Sequence, residues 1–224
     1  LQLQTLKYRV YGQFSTTQSG LFPNNIYAAV AAMGVDMGLN TGLAGSFFTL
    51  AHKTLVGIAP EPLSQTQYNN LKNAGFNVYA TFGNFQVEEP GFMSNGSPSY
   101  FWMFVAMYVA LLQNAEMGVL QDNPAVPQTN PGQQLLLHAA NGAGTTMAGI
   151  GFLAEAVWNG PSINIPGVVV TQGMAIPGGF LNLSQPYSQQ SPSDRDAGKA
   201  MPIYSFITTA GAVQSLVIGV YTQL

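Results

Sequence analysis

The chain has 224 residues, no cysteine, six basic and nine acidic side chains, and a charged fraction of 7%, where an average soluble domain has roughly 25%. Without cysteine there is neither a disulfide framework nor a thiolate metal site, and with only His52 and His138 a zinc site would have to rely on carboxylates. A net charge of −3 with so few Lys and Arg gives no electrostatic footprint for nucleic acid, and the weak self-repulsion suits a protein that packs against copies of itself.

The length allows one domain, or one with extensions, able to bury roughly 70% of the surface its unfolded form exposes. Leu1 is not a methionine and no basic-then-apolar leader is present, so an N-terminal portion beyond Leu1 is expected. Residues 1–20 read as an arm and linker: Leu1–Gln13 alternates, with Leu6, Tyr8 and Val10 on one side and Lys7, Arg9 and Tyr11 on the other, and a Ser/Thr/Gln stretch follows. Residues 21–224 read as a single α/β domain. Behind Pro23, the residues Ile26, Tyr27, Val30, Met33, Gly34 and Met37 recur at helical spacing, the pattern of an amphipathic helix.

Ser46–Ile58 is β-rich. Ser64-Gln65-Thr66-Gln67 has the form of a capping box, Gly75 of a left-handed helix cap, and Phe76–Phe82 of a strand. Strand, helix, strand predicts a βαβ unit with two parallel strands. Val87–Ser99 reads as turns, placing Glu88 and Glu89 in a solvated loop. Tyr100–Leu112 carries no charge; it is too short for a bilayer, which takes about 20 residues, and reads as a buried helix with no membrane insertion. Gln133–Asn159 is helical but broken by Gly144, Gly149 and Gly151, each costing about 1 kcal/mol relative to alanine unless a close neighbour offsets it. Ser162–Gln190 reads as a surface excursion with one short strand at Val168–Val170.

The last stretch holds the densest charge. Ser193 reads as a helix cap, Asp194 and Asp196 lie near the positive helix end, and Lys199 sits in the last turn; Pro202 ends the helix. The runs 203–207 and 213–221, separated by Ala210-Gly211-Ala212, predict a C-terminal hairpin over 203–224. In the final strand Leu216, Ile218 and Val220 share one face, and an edge strand of this kind can be paired by another chain.

Catalytic patterns are weak. Gly142-Ala143-Gly144-Thr145-Thr146 lacks the lysine of a phosphate loop, there is no Gly-x-Ser-x-Gly elbow, and Asp36, Glu61, Glu116, Asp122 and Glu155 are scattered singly. No catalytic residue, cofactor or metal site is predicted.

Ser191-x-Ser-Asp-Arg-x-x-x-Lys-x-x-Pro202, with the strand and turn that follow, resembles the end of phage and prophage contractile tail-sheath proteins. Leu71–Tyr79 and the Pro127–Gly132 loop with Trp158-Asn159-Gly160 are similar to the same family. The resemblance implies a mixed α/β, tail-sheath-like fold with flanking helices. It further implies a structural subunit of the virion, assembled in the host cytoplasm, that forms helical or stacked-ring homo-oligomers by strand exchange around a tail tube protein and meets a baseplate or tail terminator. Asp194, Arg195, Asp196, Lys199, Leu216, Ile218, Val220, Arg9 and Lys7 are the candidate subunit-interface residues. The alternatives are a non-catalytic module recognising a glycan or receptor, suited by abundant Asn, Gln and Tyr, or an enzyme dependent on His52 or His138.

Overall fold

The computed structural model describes residues 9–16 and 24–213. The protein is mixed α/β, with five α-helices and nine short strands among the described residues. It divides into two compact units: residues 1–40, 48–103 and 212–224 form the first, and 41–47 with 104–211 the second.

The first unit carries a three-stranded sheet in the order β1 (Gly12–Phe14), β2 (Phe76–Phe82), β3 (Phe85–Glu89). β1 pairs in parallel with β2, and β2 in antiparallel with β3. A parallel pair is therefore present, but its first member is β1 and not the β-rich run 46–58, which is turns without a strand. Small residues and polar groups interrupt that run, and it folds back as turns that put Leu50, Ala51 and Leu55 in the core. β3 replaces the expected loop. The signal was the two-residue Gly83-Asn84 connection between β-rich runs, where Gly83 adopts a φ of 61°, as hairpin turns require.

α1 (Ala28–Met37) follows a short 3-10 turn at Asn25–Tyr27. Its orientation reverses the amphipathic expectation: Ala28, Ala32 and Asn25 are buried, while Ile26, Tyr27, Val30, Met33 and Met37 face outward. The small alanines let the helix approach Tyr79 and Leu55 closely. β1 is likewise reversed in its described part, with Val10 exposed and Tyr11 packed on the same cluster. α2 (Gln65–Asn73) starts with the predicted capping box, Ser64 and Gln67 each bonding the other's backbone, and packs Tyr68 edge-on against Phe82.

α3 (Ser99–Asp122) is 24 residues long. It is not the buried helix expected over 100–112: Tyr100, Phe104 and Tyr108 form a narrow buried stripe, and Val109, Met117 and Leu120 are exposed. It is the one helix among the described residues long and apolar enough to cross a membrane by length and composition.

In the second unit α4 (Asn130–Ile150) is continuous, capped by Thr129 at its start and by Gly151 in the left-handed conformation at its end. Gly144 explains why the helix tolerates its glycines there: a Cβ would collide with the Phe180 ring, so the close approach offsets the propensity cost. Gly142 and Gly149 face open space, and nothing in the structure explains them.

The 162–190 segment is core and not an excursion. β5 (Ile163–Ile165) pairs with β6 (Val168–Val170), β4 (Ala156–Val157) with β7 (Ala175–Ile176), and β8 (Phe180–Ser184) with β9 (Ile203–Ile207), all antiparallel. Val168, Val170 and Phe206 form a buried cluster, with Trp158 edge-on to Phe206. Phe104 and Phe152 stack at 5.3 Å with Phe47 beside both. The partner of 203–207 is thus β8. The second run of the expected terminal hairpin, beyond Val213, lies outside the described residues.

Candidate subunit-contact site

In the second unit the charged stretch forms a short helix, α5 (Pro192–Asp196). Its cap is Ser191, not Ser193: the Ser191 hydroxyl accepts from the Asp194 amide at 3.1 Å. Pro192 occupies the first helical position, where a missing amide costs nothing, and this shifts the start two residues upstream of the expected serine. The helix ends before Lys199, which reaches back so that Nζ donates to Asp194 Oδ1 at 2.7 Å. That bond, with the one from Ser191, holds the Asp194 carboxyl below its ordinary range.

Arg195 is exposed and donates to the Tyr187 carbonyl at 3.4 Å and to Gln190 Oε1 at 3.5 Å. Its in-chain partners are therefore neutral oxygens, not the neighbouring carboxylates. Asp196 is exposed. The turn is anchored from beneath: Gln190 and Gln128 donate to the Lys199 carbonyl at 2.6 and 3.3 Å, and Gln133 donates to that of Met201 at 3.0 Å. A polar hollow of about 390 Å³ opens beside it, lined in part by Gln185, Gln190, Asp194 and Lys199. β9 leads directly from this turn, and among the described residues β8 is its only ladder partner.

A hydroxyl and amide network holds β8 and β9 on the helices of this unit. Tyr108 shares a hydrogen bond of 2.7 Å with Ser205, and Asn182 donates to Asn141 at 3.1 Å. All four groups are neutral. Burial pushes the Tyr108 hydroxyl further from ionisation.

The N-terminal candidates lie in the first unit. The Arg9 guanidinium stacks over Trp102, 3.3 Å from the ring centroid. Lys7, Leu216, Ile218 and Val220 lie outside the described residues. What secures the segment after Arg9 are two carboxylates that sequence reasoning placed at the surface. Glu88, fully buried, accepts from the Tyr11 hydroxyl at 2.8 Å and from Gln13 Nε2 at 3.2 Å. Glu61, also buried, accepts from the Thr16 amide and hydroxyl at 2.8 and 2.6 Å and from Asn25 Nδ2 at 2.8 Å. Burial drives Glu88 up to about 7, against the opposing effect of its two hydrogen bonds. The alternation of Phe85–Glu89 opposite Phe76–Phe82 was the available signal: on a strand Glu88 and Glu89 point to opposite faces, so one of them had to turn inward. Glu89 faces the other way, within 2.6 Å of His52 Nδ1.

Among the described residues no group of three or more His, Asp or Glu side chains could hold a metal ion. The Gly142–Thr146 run lies inside α4, where the Thr145 and Thr146 hydroxyls donate to helix carbonyls; it forms no phosphate cradle.

The second unit, with an anchored charged turn feeding a strand at a sheet edge, defines a structural assembly domain. The family model for the E217 tail sheath protein gp31-like C-terminal domain matches residues 104–222. This spans more than half of the chain, and the match begins where the second unit resumes at Phe104. The chain belongs to this tail sheath family, and its role is that of a structural component of a phage tail. Among curated proteins none matches it.

Proposed function

We propose that the chain is a sheath subunit that polymerises around a tail tube through inter-subunit strand exchange, with Arg195 and the other residues of the charged turn at the contact. The observation that carries this reading is the family match over 104–222, supported by an edge strand, β9, held in place on one side by β8. A strand added to a free edge contributes about 1 kcal/mol net for each hydrogen bond, and each aliphatic side chain buried with it about 1.5–3 kcal/mol. Several such contacts link neighbours durably while leaving the subunits free to repack. Contraction then follows from small differences in interface free energy between two packings, summed over many copies, without nucleotide or cofactor.

In this scheme Arg195 takes a carboxylate of a neighbour through two parallel bonds, a geometry its planar guanidinium favours. The terminal segment 216–224 is the donated strand, and a tail tube protein, a baseplate and a tail terminator are the other partners. Electron microscopy of the purified protein across concentration and salt tests the reading. Tubes or stacked rings are expected, and deletion of residues 216–224 abolishes them. Only small discrete particles under every condition would favour a recognition module instead.

A further inference from the structure

The first unit lies largely outside the family match, yet it carries two features that a monomer leaves unsatisfied. One is the outward stripe of α1 and the turn before it. Ile26, Val30, Met33 and Met37 follow one another at intervals of four, three and four residues, so they share a helix face, and Tyr27 flanks them. Val30 is 65% exposed and Met37 78%. Together these side chains offer on the order of 500 Å² of apolar surface, the size at which exposed patches mark protein contacts.

The second feature is a cavity of about 500 Å³ lined by Tyr11, Ala29, Met33, Asp36, Leu50, Met93, Ser99 and Met103. Met33 belongs both to this cavity and to the exposed stripe, so the two are continuous. Two of the lining groups are buried polar atoms with no hydrogen-bond partner: Asp36 Oδ1 and Ser99 Oγ. Ser99 is only 6% exposed. A buried, unpaired oxygen costs about 1–3 kcal/mol, more when it carries charge, so their presence calls for a donor from outside the chain.

We infer that the α1 face and the Met33–Asp36–Ser99 cavity are the receiving half of a subunit–subunit contact, occupied by a second copy of this chain. That copy would lay apolar side chains on α1 and bring a lysine, arginine or other donor to Asp36 and Ser99. This inference rests on the sheath reading. A second copy fits better than a small ligand because a ligand filling the cavity would leave Ile26, Val30 and Met37 in water, whereas a protein surface covers stripe and cavity together. The contact is separate from the terminal strands, so each subunit would be held at two places. Asp36, raised to about 6 by burial, is ionised at neutral pH and attracts a cation there.

The native chain has no cysteine, so Val30→Cys places a unique thiol on the exposed stripe without touching the core. Maleimide should modify it at the rate of a free thiol in dispersed protein and about tenfold or more slowly in assembled protein. In parallel, the double variant Val30→Asp/Met37→Asp and, separately, Asp36→Asn should raise the critical concentration for assembly about tenfold and severalfold, with circular dichroism unchanged. If the unaltered protein forms no polymer, the sheath reading itself fails. If it polymerises but the thiol stays equally reactive and the variants assemble at the unaltered concentration, this inference alone is overturned. Protection of the thiol by a small molecule in dispersed protein would also overturn it, in favour of a ligand site.

Discussion

The first unit buries two carboxylates, Glu61 and Glu88, at the centre of its contacts. In the second unit the aromatic stack of Phe47, Phe104 and Phe152 and the neutral Tyr108, Ser205, Asn182 and Asn141 network take that place, while Asp194, Arg195 and Lys199 stay on an accessible turn. Both arrangements come from one charge-poor chain, and they differ in what they depend on. Apolar packing and neutral hydrogen bonds are insensitive to pH near neutrality. A buried carboxylate ties the stability of its surroundings to its proton. The unit matched by the sheath family is thus the pH-indifferent one, and the unit that holds the N-terminal segment is the titratable one.

The largest expected effect breaks the second unit. Phe104→Ala removes the ring stacked on Phe152 and should cost about 3–5 kcal/mol, read as a fall in the melting transition by calorimetry with little change between pH 5 and 7.5. Next comes the titration that sharpens the contrast. Glu88 has a folded value of about 7, above its ordinary 4.5. The folded state therefore holds a proton that the unfolded state releases between these values, and stability declines as pH rises from about 4.5 through 7. The expected loss across that window is about 2–3 kcal/mol. Glu88→Gln should flatten the pH dependence, leaving the smaller part contributed by Asp36, whose folded value is about 6. A wild-type melting curve unchanged between pH 5 and 7.5 would remove the contrast between the units.

Ser64→Ala deletes the capping box of α2 and should destabilise the first unit by about 1 kcal/mol, measured by urea denaturation. The smallest effect belongs to the charged turn. Lys199→Ala breaks an ion pair whose two side chains are 65% and 44% exposed; such pairs are screened by water and salt, so the melting temperature of dispersed protein should not move. A change confined to assembly would show that the turn acts between subunits.

Local chemistry was legible wherever neighbours in sequence decide the outcome. The capping box at Ser64, the Phe76–Phe82 strand, the left-handed turn at Gly75 and the strand at 203–207 all follow from a few adjacent residues, and the structure contains each of them. So does the mixed α/β class. The motif from Ser191 to Pro202 pointed to the tail sheath family because it combines a cap, a charged turn and a strand start at fixed spacing, and the family match covers it.

Tertiary structure decided which face of each element turns inward. On α1 the larger side chains predicted burial, but the alanine face is the one that fits against Tyr79 and Leu55, and the methionines remain outside. Glu61 and Glu88 read as surface acids because burying a carboxylate is costly. Donors from Tyr11, Gln13, Thr16 and Asn25, as far as 77 residues away in sequence, offset that cost. The partner of Phe76–Phe82 was likewise a distant strand, Gly12–Phe14, and not the nearer β-rich run. Sequence by itself determined the caps, turns and periodicities, because these are set by the backbone over a few residues. Only the fold decided burial and pairing, because a side chain's environment is made by residues that meet it through space.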